Sequence, residues 1–100
     1  MAKRLVVHVI SKRAWREVVA ADPTLEPSIS AWHKIASEAA WTSIVDVRQV
    51  YPHADFVDPY TVFNLKGNTY RLVVKIEYRW QLIFVKQVIT HKEYDKGGWR

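Results

Sequence analysis

Residues 60–90 read YTVFNLKGNTYRLVVKIEYRWQLIFVKQVIT, and the fold turns on how they divide. YTVFNL, TYRLVVKIEY and QLIFVKQVI are runs rich in β-branched and aromatic residues, separated by KGN and by a tight connection near Arg79 and Trp80. Connections this short join antiparallel neighbours, so the stretch predicts a three-stranded meander. The middle run alternates: Tyr70, Leu72, Val74, Ile76 and Tyr78 point one way, and Thr69, Arg71, Val73, Lys75 and Glu77 the other. With a side-chain period of two, this is a strand with one buried face and one wet face. The wet face carries Arg71 and Lys75.

Upstream the period lengthens. RLVVHVI reads as a short strand, after which Ser11 can cap a helix bearing Trp15, Val18 and Val19 on one face, stopped by Asp22-Pro23. Thr24 opens a second helix in which Leu25, Ile29, Trp32, Ala36 and Ala39 recur at steps of four and three, an amphipathic stripe. Ser43 and Asp46 have capping-box spacing before IVDVRQVY, and HADFVDP reads as a loop. Helices followed by consecutive strands, with a first strand to pair at an edge, give an α+β fold: a small antiparallel sheet with N-terminal helices on one face. The other face is expected to stand open.

One hundred residues with 49% hydrophobic and 25% charged composition suit one domain spanning 1–100. There is no cysteine, so neither a disulfide nor a thiolate metal site is available. No two of His8, His33, His53 and His91 have metal-ligand spacing, and all but His91 read as structural or surface groups. No metal or cofactor is expected. LVVHVI is too short and polar for a signal peptide and no stretch approaches a membrane span, which makes the cytoplasm the expected location. The net charge of +5 is unevenly placed: residues 1–60 hold seven Lys/Arg against seven Asp/Glu, and residues 61–100 eight against three. The whole excess sits in the last forty residues, a field that attracts phosphates. Lys66, Lys75, Lys86, Lys92 and Lys96 are the candidate RNA-binding cations.

The chain closes on THKEYDKGGWR. Thr90 and Glu93 repeat the capping-box spacing, and on the turn they would open, His91 and Tyr94 are three apart and share a side. That brings an imidazole and a phenol to one end of the face carrying Arg71. These are the groups needed for RNA cleavage by its own 2′-hydroxyl: proton transfer at the attacking and leaving oxygens, and a cation for the phosphorane. Blander readings exist for each: Arg71 paired with Glu77 or Glu93, Tyr94 packed on the sheet edge, His91 as a surface group. Nothing after Lys96 has a part in this chemistry, so deleting Gly97–Arg100 is expected to cost much less than changing His91 or Tyr94.

VFNLKGNTYRLVVKIEY and FVKQVITHKEYDK, with the AW of SEAAWTS upstream, resemble the HigB toxins within the RelE/ParE-like toxin group. The resemblance covers most of the chain, and its most specific parts are GN.YR in one strand and THKEYDK after the next. It implies a RelE/ParE-like fold, ribosome-dependent cleavage of mRNA, and neutralisation by a helix-turn-helix (HigA-like) antitoxin. It places the family's strand arginine on Arg71 and its C-terminal histidine and tyrosine on His91 and Tyr94, with Asp95 also in the motif. The dense lysine and arginine cluster of some members of the wider group is missing, which leaves the general base unassigned. Two other functions compete: a ParE-like, non-catalytic poison of gyrase, and an RNA-binding module that holds phosphates without cutting.

Overall fold

The computed structural model describes residues 8–10 and 12–99. Strand β1 (His8–Ile10) precedes α1 (Lys12–Ala21), α2 (Glu26–Ala39) and α3 (Ile44–Val50). Strands β2 (Asp55–Val57), β3 (Tyr60–Leu65), β4 (Tyr70–Glu77) and β5 (Leu82–Thr90) follow, then α4 (His91–Lys96). The sheet order is β1-β5-β4-β3-β2; β2 to β5 are antiparallel, and β1 lies parallel to β5 at the far edge. The α+β architecture is therefore the one expected, with one strand more. HADFVDP is not wholly loop: Asp55–Val57 pairs with Tyr60–Val62, because Val57 and Tyr60 are close enough for the chain to fold straight back. Most of the first predicted strand, and Ser11 as its neighbouring cap, fall outside the described residues.

The helical stripe does what its spacing requires. Leu25, Ile29, Trp32 and Ala36 are fully buried against Phe63, Leu65, Leu72, Val74, Ile83 and Val85 on one sheet face, with Trp15, Val18 and Val19 packed at the margin. Trp32 meets Phe63 edge-on at 5.5 Å, and Trp41 stacks on the same ring at 6.0 Å. The edge-on pair adds to area burial because the positive ring edge faces a negative ring face.

Two capping expectations change. Asp22, rather than Thr24, begins the second helical segment: its carboxylate accepts the Thr24 N–H at 3.1 Å, and a short 3-10 turn Pro23–Leu25 leads into α2. Ser43 occupies the cap position of α3 but makes no side-chain cap bond, since Asp46 instead accepts both the backbone N–H (2.9 Å) and the hydroxyl (2.6 Å) of Thr42. The box spacing was satisfied by a competing local donor.

Asp22 also ties the layers together. It accepts from the Tyr70 hydroxyl at 2.8 Å, at the start of β4, and lies 3.5 Å from Lys66 Nζ. The Thr24 and Tyr70 hydroxyls hold its carboxyl down at a pKa of about 2, from an ordinary 3.8. A folded pKa below the unfolded one adds stability that is complete above pH 4 and lost as pH falls toward 2. Asp22→Asn should therefore lower stability at neutral pH and flatten its decline between pH 4 and 2, which urea melts across that range would register. An unchanged acid slope would mean the tie contributes nothing.

Among the described residues no helix is long and apolar enough to cross a membrane.

Candidate active site

The second sheet face is less open than its polar alternation implies. Val62, Val73 and Ile89 form a small apolar patch there, and Val57, Tyr60, Tyr94 and Trp99 pack on it. Register explains the patch: Val62 lies opposite Val73, and Arg71 opposite Ile89. Directly opposed residues of antiparallel strands share a face. Between Val73 and Val74 the pairing with β5 slips, from Gln87 to Val85, leaving Lys86 as an extra residue. Val85 and Val88 both join the helix-side core, so Lys86 and Gln87 both emerge on the second face.

Arg71 sits at one end of this face and is only 8% exposed. Neither carboxylate offered by the sequence takes it: Glu77 pairs with Lys75 at 3.1 Å, and Glu93 folds back on Thr90. Its guanidinium donates instead to neutral acceptors. Nη1 reaches the carbonyls of Asn68 and Tyr70, each at 3.2 Å, and Nη2 the Asn68 Oδ1 at 2.7 Å. Three of the five N–H donors of an arginine are thereby used, which fixes the group while leaving its charge uncancelled by those partners.

The capping box at Thr90 is complete. Thr90 Oγ1 accepts the Glu93 N–H at 3.1 Å, and Glu93 Oε1 accepts the Thr90 N–H at 3.1 Å. The Thr90 N–H and the Thr90 hydroxyl, which donates to the same Oε1 at 3.0 Å, hold the Glu93 carboxyl below its ordinary pKa, so the box stays formed at neutral pH. It starts α4 directly from the end of β5, and the His91 N–H is caught by the Thr69 carbonyl at 2.9 Å. His91 then sits between two groups: Nε2 is 3.0 Å from Asp95 Oδ2, and Nδ1 is 3.4 Å from Asn68 Nδ2. One turn on, the Tyr94 ring lies under the Arg71 guanidinium, 5.6 Å from its carbon, and its hydroxyl is 3.5 Å from Asp55 Oδ2. A carboxylate beside a histidine, a phenol and a buried cation thus converge at one end of the sheet.

The lysines disperse. Lys75 lies four residues along β4 from Arg71, about 13 Å at the rise of a strand, and is engaged by Glu77; the structure does not bring it to the site. Lys66 points to the helical layer, bonded to Thr24 and near Asp22. Lys86 covers the Tyr60 ring, with Nζ 4.8 Å from its centre and 3.2 Å from its hydroxyl. Lys92 and Lys96 are exposed on α4, Lys96 bordering a shallow groove with Gln87, Ile89, Glu93 and Trp99. Among the described residues no three His, Asp or Glu side chains are grouped to hold a metal ion.

Sequence reasoning missed Asn68, Asp55, Gln87 and, most consequentially, Trp99. Trp99 stacks on Tyr94 with centroids 5.0 Å apart and planes 19° from parallel. Its indole N–H donates to the Tyr94 carbonyl at 3.0 Å, and its own carbonyl accepts from Gln87 Nε2 at 3.0 Å. Gly97 makes this return possible: at φ 76 it ends α4 in the left-handed conformation that favours glycine. The closing residues thus clamp Tyr94 to the sheet. Trp99→Ala, or truncation after Lys96, should lower activity about 10-fold by loosening Tyr94, with Trp99→Phe intermediate; comparison of single-turnover rates checks this, and wild-type rates for the truncation would remove the clamp from the account.

Helices on one side of a small sheet whose β2 to β5 run antiparallel agree with the architecture of a RelE-like toxin. The chain belongs to the HigB toxin family, the RelE-like toxic component of a toxin–antitoxin system, whose family model matches residues 25–97. It is 26% identical over 92 residues to the mRNA interferase toxin HigB of Escherichia coli K12, covering 89% of this chain and 88% of that protein. Against the mRNA interferase HigB of Escherichia coli O6:H1 it is 25% identical over 93 residues, covering 90% of each. The match to the mRNA interferase HigB of Shigella flexneri is again 26% over 92 residues.

Proposed function

We propose that this toxin is an endoribonuclease that cuts mRNA on the ribosome through attack by the RNA's own 2′-hydroxyl. The observation that carries the reading is Arg71: a cation 8% exposed, held by neutral acceptors, over the Tyr94 ring and linked to His91 through Asn68. A buried charge that its protein neighbours do not neutralise has its natural complement in a phosphate. The 2′-oxygen attacks phosphorus, the P–O5′ bond breaks, and the products are a 2′,3′-cyclic phosphate and a 5′-hydroxyl. One proton leaves the 2′-oxygen and one arrives at O5′. His91 is the proton-transfer group, Tyr94 orients the attacking ribose, and Arg71 holds the negative charge that builds on the phosphorane.

The mRNA interferase names of the relatives support cleavage of mRNA. The charge split supports a nucleic-acid surface on the same half, since residues 61–100 carry the whole excess. The neutralising partner of the toxin is, in this reading, a helix-turn-helix antitoxin, and its place of action is the cytoplasm, where translating ribosomes are. Primer extension on a defined mRNA, with and without ribosomes, tests the proposal: cuts that appear only with ribosomes are expected, and equal cutting of naked mRNA, or none in either case, overturns it.

A further inference from the structure

Asn68 stands in the turn between β3 and β4, presented by two left-handed residues, Lys66 at φ 49 and Gly67 at φ 64, and closed by the Thr69 N–H on the Lys66 carbonyl at 3.3 Å. We propose that Asn68 is a positioning residue that sets the tautomer of His91 and couples it to Arg71. The inference rests on the reading above, in which His91 transfers a proton, and adds how the ring is prepared for it.

The directions of the bonds follow from what each group can do. A guanidinium only donates, so the side-chain oxygen of Asn68 must face Arg71 Nη2, where the distance is 2.7 Å. The amide nitrogen is then the end that faces His91, and it too only donates. His91 Nδ1, 3.4 Å away, must therefore present its lone pair. In the neutral ring the proton belongs on Nε2, which points at the Asp95 carboxylate 3.0 Å away. Every bond runs the same way, from Arg71 to Asn68 to His91 to Asp95.

Protonating His91 breaks this order. An Nδ1–H would meet the amide N–H head-on, and Asn68 cannot turn its oxygen toward the ring without turning its nitrogen onto Arg71. Two groups thus pull in opposite senses: the Asp95 carboxylate on α4 favours the imidazolium, and Asn68, braced by Arg71 of β4, favours the neutral ring with Nε2–H outward. Because the His91 backbone is tied to Thr69 by its N–H, the ring cannot easily move away from the turn.

Asn68→Asp tests this with almost no change of shape. The new carboxylate still accepts from Arg71 but now accepts an Nδ1–H as well, so the His91 titration midpoint, read by long-range proton–nitrogen NMR, should rise by about one unit. Asn68→Ala should leave the neutral ring without its preference for the Nε2–H form. An unmoved midpoint in Asn68→Asp overturns the proposal, and this readout requires no cleavage. The pH profile of cleavage supplies the second arm: a profile displaced along with the midpoint supports both claims. A displaced midpoint with an undisplaced profile keeps Asn68's hold on the ring and removes His91 from proton transfer.

Discussion

Arg71→Ala should lower cleavage of ribosome-bound mRNA by about 100- to 1,000-fold, the cost of removing one preorganised donor of an oxyanion site. The fold should persist, because the core beneath the residue is built by its neighbours Leu72 and Val74, which face the helices and are fully buried. Arg71→Lys is the sharper variant. It keeps the charge but not the planar fork that spans the Asn68 and Tyr70 carbonyls and the Asn68 side chain, so it should recover little of the lost rate. Single-turnover rates, with circular dichroism for folding, check both. A folded Arg71→Ala that cuts at the wild-type rate would remove the residue from catalysis. A plain RNA-binding face predicts something else again: weaker binding and no cleavage to lose.

His91→Ala should cost about 100-fold or more, within the range of a single proton-transfer role. The substitution leaves the capping box intact, since Thr90 and Glu93 make it without the imidazole; the loss would therefore report chemistry and not unravelling of α4. Tyr94→Phe should also lower the rate, through the hydroxyl poised near Asp55. The ring itself remains on Arg71 and Trp99, so the clamp survives the change. Residues that serve one transition state are not additive, and the double variant is expected to be scarcely slower than His91→Ala. Independent, multiplying effects would mean that the two act at separate steps.

Much of this arrangement is legible in the sequence. Alternation in TYRLVVKIEY separates the faces of β4, the steps of four and three from Leu25 give the buried stripe of α2, and the Thr90–Glu93 box predicts α4. These are local signals, in which each residue's period or cap partner lies a few positions away. What the sequence hides is long-range. The extra residue at Lys86, which turns two consecutive side chains of β5 to one face, depends on pairing with β4 and leaves no mark in QLIFVKQVI. Arg71 is held by Asn68 and faces the Tyr94 ring, on which Trp99 in turn stacks. One clue was present: Val62, Val73 and Ile89 are apolar residues on the nominally wet face, and a patch of that kind requires a cover. Tyr94 and Trp99 are the large rings that follow the last strand. Trp99 lies beyond both the quoted resemblance and the matched residues 25–97, so only packing reveals it.

The central claim is that Arg71, His91 and Tyr94 promote attack by the RNA's own 2′-hydroxyl. It is tested most directly by the chemical ends of the fragments released from ribosomes programmed with a defined mRNA and treated with the purified toxin. The account predicts a 2′,3′-cyclic phosphate on the upstream fragment and a 5′-hydroxyl on the downstream one, with no cut where the scissile nucleotide carries 2′-deoxyribose. Fragments ending in a 3′-hydroxyl and a 5′-phosphate, or undiminished cutting at the deoxy position, would contradict it.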